Sequence, residues 1–162
     1  MKFPAQIILK PLHLTACIAM LILAGCQTDG EVGTAPIMKL DRSQASEANI
    51  ASLTAAIDKD PENPQGYNVR GSAYGSAGEF QLALDDFAKA IELKEDFHQA
   101  HANRALIYRN LGQNTKAISG YTKAISINPN YDAAYIGRGN IYRQKGQIDK
   151  ALEDFNMAIE LD

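Results

Sequence analysis

The sequence predicts an all-α solenoid of antiparallel helix pairs, about three pairs long with a cap helix ahead of them. The first observation behind this is a period of 34 residues. Tyr74, Tyr108 and Tyr142 stand one period apart, as do Ala83, Ala117 and Ala151, with no insertion or deletion between copies. Self-similarity at that spacing marks a stacked-repeat architecture, in which one supersecondary unit cannot bury its apolar face alone. The second observation is that apolar and small residues in each copy recur at three- and four-residue spacing, the pattern of an amphipathic helix and not of a half-buried strand. The third is a glycine at 78, 112 and 146, between the two helical stretches of each copy. A residue free to take positive φ there ends one helix and reverses the chain.

In chain order, residues 1–25 read as an export signal. Lys2 and Lys10 precede an apolar run from Leu14 to Leu23, which closes in Leu23-Ala24-Gly25-Cys26. A basic start, a short apolar stretch and small residues form the secretory pattern, whereas a membrane span needs about 20 apolar residues. The closing four residues resemble the bacterial lipobox. That resemblance implies a lipoprotein in which the Cys26 thiol receives a diacylglyceryl group and the peptide is cut before it; an ordinary signal peptide or a short hydrophobic anchor is the alternative. In such proteins an aspartate after the cysteine retains the product in the inner membrane. Gln27 stands there instead, which implies the periplasmic face of the outer membrane. Residues 26–43, with Gly30, Gly33 and Pro36 and few large apolar side chains, read as a flexible tether. With Cys17 removed and Cys26 acylated, the mature chain has no thiol for a disulfide or a Cys-based metal site.

Residues 44–60 carry only the second half of the repeat pattern, with Leu53, Ala56, Ile57 and Pro61 in phase with later copies, and are read as the cap helix. Repeats follow at 64–97, 98–131 and 132–162. In the first, helices are predicted from about Pro64 to Ala77 and from Glu79 to Leu93. Gly71, Ala83 and Ala90 let the two helices approach, and Tyr74 and Phe87 fill the space beside them. The second repeat places Ala105, Tyr108, Ala117, Tyr121 and Ala124 at the same positions; the third places Gly139, Tyr142, Ala151, Phe155 and Ala158 there. The last helix carries Leu152, Phe155, Ile159 and Leu161 where internal helices carry Leu84, Phe87, Ile91 and Leu93. Its outer face is therefore not a polar cap: either more repeats follow or this face pairs with another molecule.

These residues resemble the tetratricopeptide repeat. The consensus of that family, alternating aromatic and small residues, falls on Tyr67, Gly71, Tyr74, Ala83, Phe87 and Ala90. In the second copy it falls on His101, Ala105, Tyr108, Ala117, Tyr121, Ala124 and Pro129, and in the third on Tyr135, Gly139, Tyr142, Ala151, Phe155 and Ala158. Departures are Glu95 at the first copy's proline position, His101 at an aromatic one, and Arg70, Arg104 and Arg138 at a usually apolar one. The resemblance implies a right-handed superhelical solenoid whose first helices line a concave groove for an extended peptide or a partner helix. It places groove-lining positions on Gln65, Asn68 and Ser72; on Gln99, Ala102, Asn103, Leu106, Arg109 and Asn110; and on Ile136, Asn140, Arg143 and Gln144. Amides offer both donor and acceptor to a peptide backbone. Arg109 and Arg143, one period apart, either hold a carboxylate of the ligand by charge-assisted hydrogen bonds or stay solvated or paired with nearby acids. One subtype of the family grips the C-terminal carboxylate of chaperones; of its positions only Asn103 matches, while Asn68, Ser72, Ala133 and Gly137 hold four others with different residues.

Charge excludes nucleic acid as a partner. Without Lys2 and Lys10 the mature part has 14 basic and 19 acidic residues, a formal net charge of −5, and no phosphate-tracking stripe. His98 and His101, three apart on a helix, give at most two ligands of a zinc or copper site, and His101 holds the place of Tyr67 and Tyr135. The neighbouring carboxylates Asp85-Asp86 and Glu153-Asp154 point to different sides of a helix and do not converge as an acid–base pair. With no phosphate loop, nucleophile elbow or reactive mature cysteine, no catalytic residue and no cofactor is expected. Arg70 and Arg138 have Asp86 and Asp154 sixteen residues on, whereas Arg104 has Gly120, which predicts ion pairs in the outer copies only. Partly exposed pairs of this kind are worth roughly 0–1 kcal/mol. The expectation is thus a non-enzymatic, lipid-anchored adaptor of the bacterial envelope that binds a partner protein or peptide in its groove. The alternative is a self-associating structural protein, a homodimer formed through the last helix; a metal-binding protein relying on His98 and His101 is a third reading.

Overall fold

The computed structural model describes residues 42–161, with side chains from Glu47 onward. The predicted signal at 1–25, the lipidation residue Cys26 and the tether up to Asp41 lie outside the described residues. Among the described residues seven helices follow in order: α1 Arg42–Lys59, α2 Pro64–Ala77, α3 Phe80–Leu93, α4 His98–Asn110, α5 Asn114–Ile127, α6 Asp132–Gln144 and α7 Ile148–Leu161. The cap helix therefore starts two residues before its predicted bound at 44, inside the stretch read as tether, and ends at Lys59. The second helix of the first repeat starts one residue late because Glu79 sits outside it as the N-cap, with φ −80° and ψ 63°. No described helix is long and apolar enough to cross a membrane.

Local chemistry explains the helix bounds. Asn63 Oδ1 accepts from the Gln65 N–H at 3.0 Å, and Pro64 follows at the first helical position, where a missing N–H costs nothing. All three intra-repeat turns share one geometry. Gly78, Gly112 and Gly146 have φ of 86°, 71° and 71°, and the next residue's N–H reaches back to the carbonyl of Tyr74, Tyr108 or Tyr142 at 2.9, 2.8 and 2.9 Å. That back-bond satisfies a carbonyl the helix end would leave orphaned.

Each helix packs on its neighbours in sequence, and across repeats α2 meets α4 and α4 meets α6; α3, α5 and α7 make no corresponding contact among the described residues. First helices thus form a close inner layer and second helices an outer one that spreads apart, which curves the stack with its concave side on α2, α4 and α6. Ala83, Ala90, Ala105, Ala117 and Ala124 are fully buried at the helix–helix contacts, and Phe87 and Ile141 are the largest side chains wholly enclosed. The tightest of the contacts that need glycine for room is at Gly137, where a Cβ would overlap the Tyr121 ring. On α7, Leu152 is 54% and Ile159 74% exposed, so its outer face is apolar and open as expected.

Candidate binding groove

The inner layer brings several of the sequence-derived groove residues together and removes others from it. Asn103 on α4 donates from Nδ2 to Asn68 Oδ1 on α2 at 3.0 Å and to Ser72 Oγ at 3.4 Å, and Ser72 Oγ donates to the Asn68 carbonyl at 2.9 Å. This is a polar seam across two repeats. Asn68 itself is buried, so it supports the seam and offers little to a ligand. Ala102 is also buried and belongs to the core, not to the groove wall, because α4 turns that face toward its neighbours. On α6, Asn140 Nδ2 donates to the Ile136 carbonyl at 2.9 Å, and Arg143 Nη2 donates to Asn140 Oδ1 at 3.3 Å. Gln65, Ser72, Leu106, Asn110, Ile136, Arg143 and Gln144 are exposed; Gln99, Asn103, Arg109 and Asn140 are half-buried. Leu106 and Ile136 put two apolar side chains among these amides and guanidinium groups. Arg109 lies close enough to Tyr121 for its charge to favour the phenolate, although burial dominates and holds the Tyr121 pKa above its ordinary value. The surface combines amide donors and acceptors, two cations and apolar anchors, a set suited to clamping a peptide backbone and its side chains.

The predicted ion pairs are present where expected. Arg70 donates from Nε and Nη2 to the two Asp86 oxygens at 2.8 Å each, and Arg138 does the same to Asp154 at 3.0 and 2.7 Å. Among the described residues Arg104 makes no ion pair. Each paired arginine also donates from Nη1 to a threonine on the preceding second helix, Arg70 to Thr54 at 3.1 Å and Arg138 to Thr122 at 3.0 Å. The sequence reading missed these threonines, yet they stand sixteen residues before each arginine as the aspartates stand sixteen after. The carboxylate hydrogen bonds raise both guanidinium pKa values above the ordinary range, against a smaller opposing effect of burial. Each guanidinium also lies over two tyrosines, Tyr67 and Tyr74 or Tyr135 and Tyr142, at 5.8 to 6.0 Å from the ring centres. The expected worth of these pairs needs correction. The Asp154 side chain is only 4% exposed and that of Arg138 18%, so the pair belongs to the nearly buried class.

The two histidines serve structural contacts. His101 Nε2 donates to the Glu95 carbonyl at 3.0 Å, while His98 Nε2 accepts from Asn128 Nδ2 at 3.2 Å and its ring meets Tyr131 edge-on at 4.9 Å. Burial lowers both pKa values, Lys94 adding to the effect at His98 and Arg104 and Lys123 at His101. Among the described residues no three His, Cys, Asp or Glu side chains gather into a metal-binding group.

Compared with known proteins, the chain matches family profiles described as tetratricopeptide repeat over residues 98–131 and 133–162, and over 41–96. A crystal structure of MamA is 34% identical, with a TM-score of 0.65 over 72% of this chain and 68% of that one. The Arabidopsis OM64 TPR domain is 25% identical, with a TM-score of 0.60 over 62% of this chain and 84% of that domain. The second TPR of Spaghetti (RPAP3), solved bound to the HSP90 peptide SRMEEVD, shares the fold at 23% identity, with a TM-score of 0.59 over 67% of this chain and 99% of that one. No curated protein matches the sequence.

Proposed function

Because the chain belongs to the tetratricopeptide repeat family, we propose that it is a non-enzymatic adaptor that holds a partner protein or extended peptide on the inner face of α2, α4 and α6. The observation that carries this reading is the inner layer itself: first helices meet across repeats and present amides linked from one repeat to the next, as in the Asn103 to Asn68 bond of 3.0 Å. A preformed polar wall of this kind loses little freedom on binding a peptide. In the Spaghetti domain the same fold is bound to an HSP90 peptide. Of the groove positions used for chaperone tails only Asn103 matches here, so the proposed ligand is another protein.

The adaptor is proposed to be a lipoprotein, anchored by acylated Cys26 at the periplasmic face of the bacterial outer membrane, with a partner from the envelope. Support for the anchor is the Leu23-Ala24-Gly25-Cys26 sequence after an apolar run, with Gln27 behind it. The test is in-cell cross-linking and capture with the full-length lipidated protein, beside an Arg109→Ala, Asn140→Ala, Arg143→Ala variant shown to fold by circular dichroism. An envelope protein captured by the parent and lost by the variant supports the groove; the same protein captured by both overturns it. A second reading, self-association, rests on the open apolar face of α7, where Ile159 is 74% exposed. It predicts that the captured protein is a second copy of this chain and that Leu152→Asp abolishes capture.

A further inference from the structure

The middle repeat differs from its neighbours in charge. Residues 98–131 contain no aspartate or glutamate, yet carry Arg104, Arg109, Lys116 and Lys123, in a chain with a formal net charge of −3. Three of those cations line one open cleft of about 570 Å³ between α4 and α5, together with the hydroxyls of Thr115 and Ser119. The positions of Thr115, Ser119 and Gly120 hold Gln81, Asp85 and Asp86 in the first repeat and Asp149, Glu153 and Asp154 in the third. In the middle repeat Thr115, Ser119 and Gly120 replace them while the arginine is kept.

The loss is built into the backbone packing. Gly120 stands where Asp86 and Asp154 stand, and a Cβ there would lie 2.8 Å from Ala105 Cβ; in the outer repeats the opposing residue is Gly71 or Gly139, which leaves room for the aspartate. The threonine is gone as well, since Ala88 holds the position of Thr54 and Thr122 relative to Arg104. Arg104 thus keeps the location of a bidentate arginine without the carboxylate or hydroxyl that its counterparts hold. Lys116 is steadied over the Tyr108 ring at 5.2 Å. His101, at the base of the cleft, uses its Nε2–H on the Glu95 carbonyl and brings no negative charge.

We propose that the cleft between α4 and α5 is a receptor for a carboxylate on an acidic segment of a partner protein, which takes against Arg104 the place that Asp86 and Asp154 hold against Arg70 and Arg138. The template favours a carboxylate: in both outer repeats a planar guanidinium meets a planar carboxylate through two parallel bonds of 2.7–3.0 Å. Lys116 and Lys123 then serve neighbouring acidic side chains of the same segment. The cleft shares no residue with the inner-face groove, so the two sites stand or fall separately.

The test uses a fluorescein-labelled hexaglutamate peptide, titrated by fluorescence anisotropy against the full-length chain in neutral detergent at low salt. Two variants remove the site in different ways. Arg104→Gln deletes the guanidinium's charge, and the double substitution Ala105→Gly, Gly120→Asp rebuilds the internal partner that the outer repeats possess. Both are expected to keep the parent's helical circular dichroism and to bind the peptide about tenfold more weakly. Lys59→Gln, on α1, is expected to leave binding within about twofold. Inorganic phosphate is expected to compete no better than chloride at equal ionic strength. The proposal is overturned if the parent does not bind the peptide, or if Arg104→Gln binds it as the parent does. Displacement by phosphate at concentrations where chloride has no effect overturns it too, as does loss of binding only in the groove variant at 109, 140 and 143.

Discussion

Asp154 turns both carboxylate oxygens to Arg138 and has almost no access to water. Asp154→Ala is therefore expected to cost about 2–3 kcal/mol, since it leaves a nearly buried guanidinium with Thr122 as its remaining hydrogen-bond partner. Asp85→Ala, which removes an exposed carboxylate bonded to Gln81, is expected to cost less than about 0.5 kcal/mol. Urea unfolding at pH 7 measures both, and equal losses would place Asp154 among ordinary surface acids. His101 gives a pH dependence. Burial, Arg104 and Lys123 hold its folded pKa below the unfolded value, so the unfolded chain binds more protons and this residue's contribution to stability falls as pH drops below about 6.5. His101→Tyr restores the residue of the flanking copies and is expected to lose less stability between pH 7.5 and pH 5, read from urea midpoints. An unchanged slope would remove His101 from the account. The ion pairs were legible in the sequence because an offset of sixteen spans two helices of one repeat. The threonine bonds run to the preceding repeat, and reading them requires knowing which second helix lies beside each arginine.

At the scale of the helix, what could be read depended on whether punctuation is local. Asn63-Pro64 starts α2 and Gly78 ends the turn after it, each through chemistry confined to a few residues, so α2 was placed to the residue. The start of α1 has no such signal, and the helix runs two residues into the stretch read as tether. Groove membership was harder. The family resemblance placed Asn68 and Ala102 on the groove wall, yet the α2–α4 and α4–α6 approaches bury them. Periodicity along one helix gives a direction, while burial depends on how closely the next repeat comes. The same limit hid Gly137: its role belongs to Tyr121, a residue of the preceding repeat, whose ring occupies the place of the missing Cβ.

Among the described residues, α1 packs only on α2 and α7 only on α6, while α4 is flanked on both sides and touches α2 and α6 as well. Stability in such a linear stack is close to a sum over neighbours, so amide hydrogen exchange is expected to be slowest in α4 and α5 and to quicken toward α1 and α7. Mass-resolved exchange on the full-length chain checks this; protection that is uniform from α2 to α7 would mean the array opens only as one unit. The fold was legible at this scale because 34-residue self-similarity needs no side-chain detail, whereas the charge of the middle repeat shows only when each copy is summed apart from the acidic total. The pairing of small residues also constrains how the copies diverged. Gly71 with Asp86 and Ala105 with Gly120 are two solutions of one contact, and neither member changes freely. Passing from the second solution to the first, an aspartate arriving at 120 before Ala105 shortens meets a methyl group at 2.8 Å, whereas Ala105→Gly arriving first leaves only a gap. The less obstructed passage from the second solution to the first therefore runs through a glycine–glycine pair, which holds its two helices less firmly than either solution.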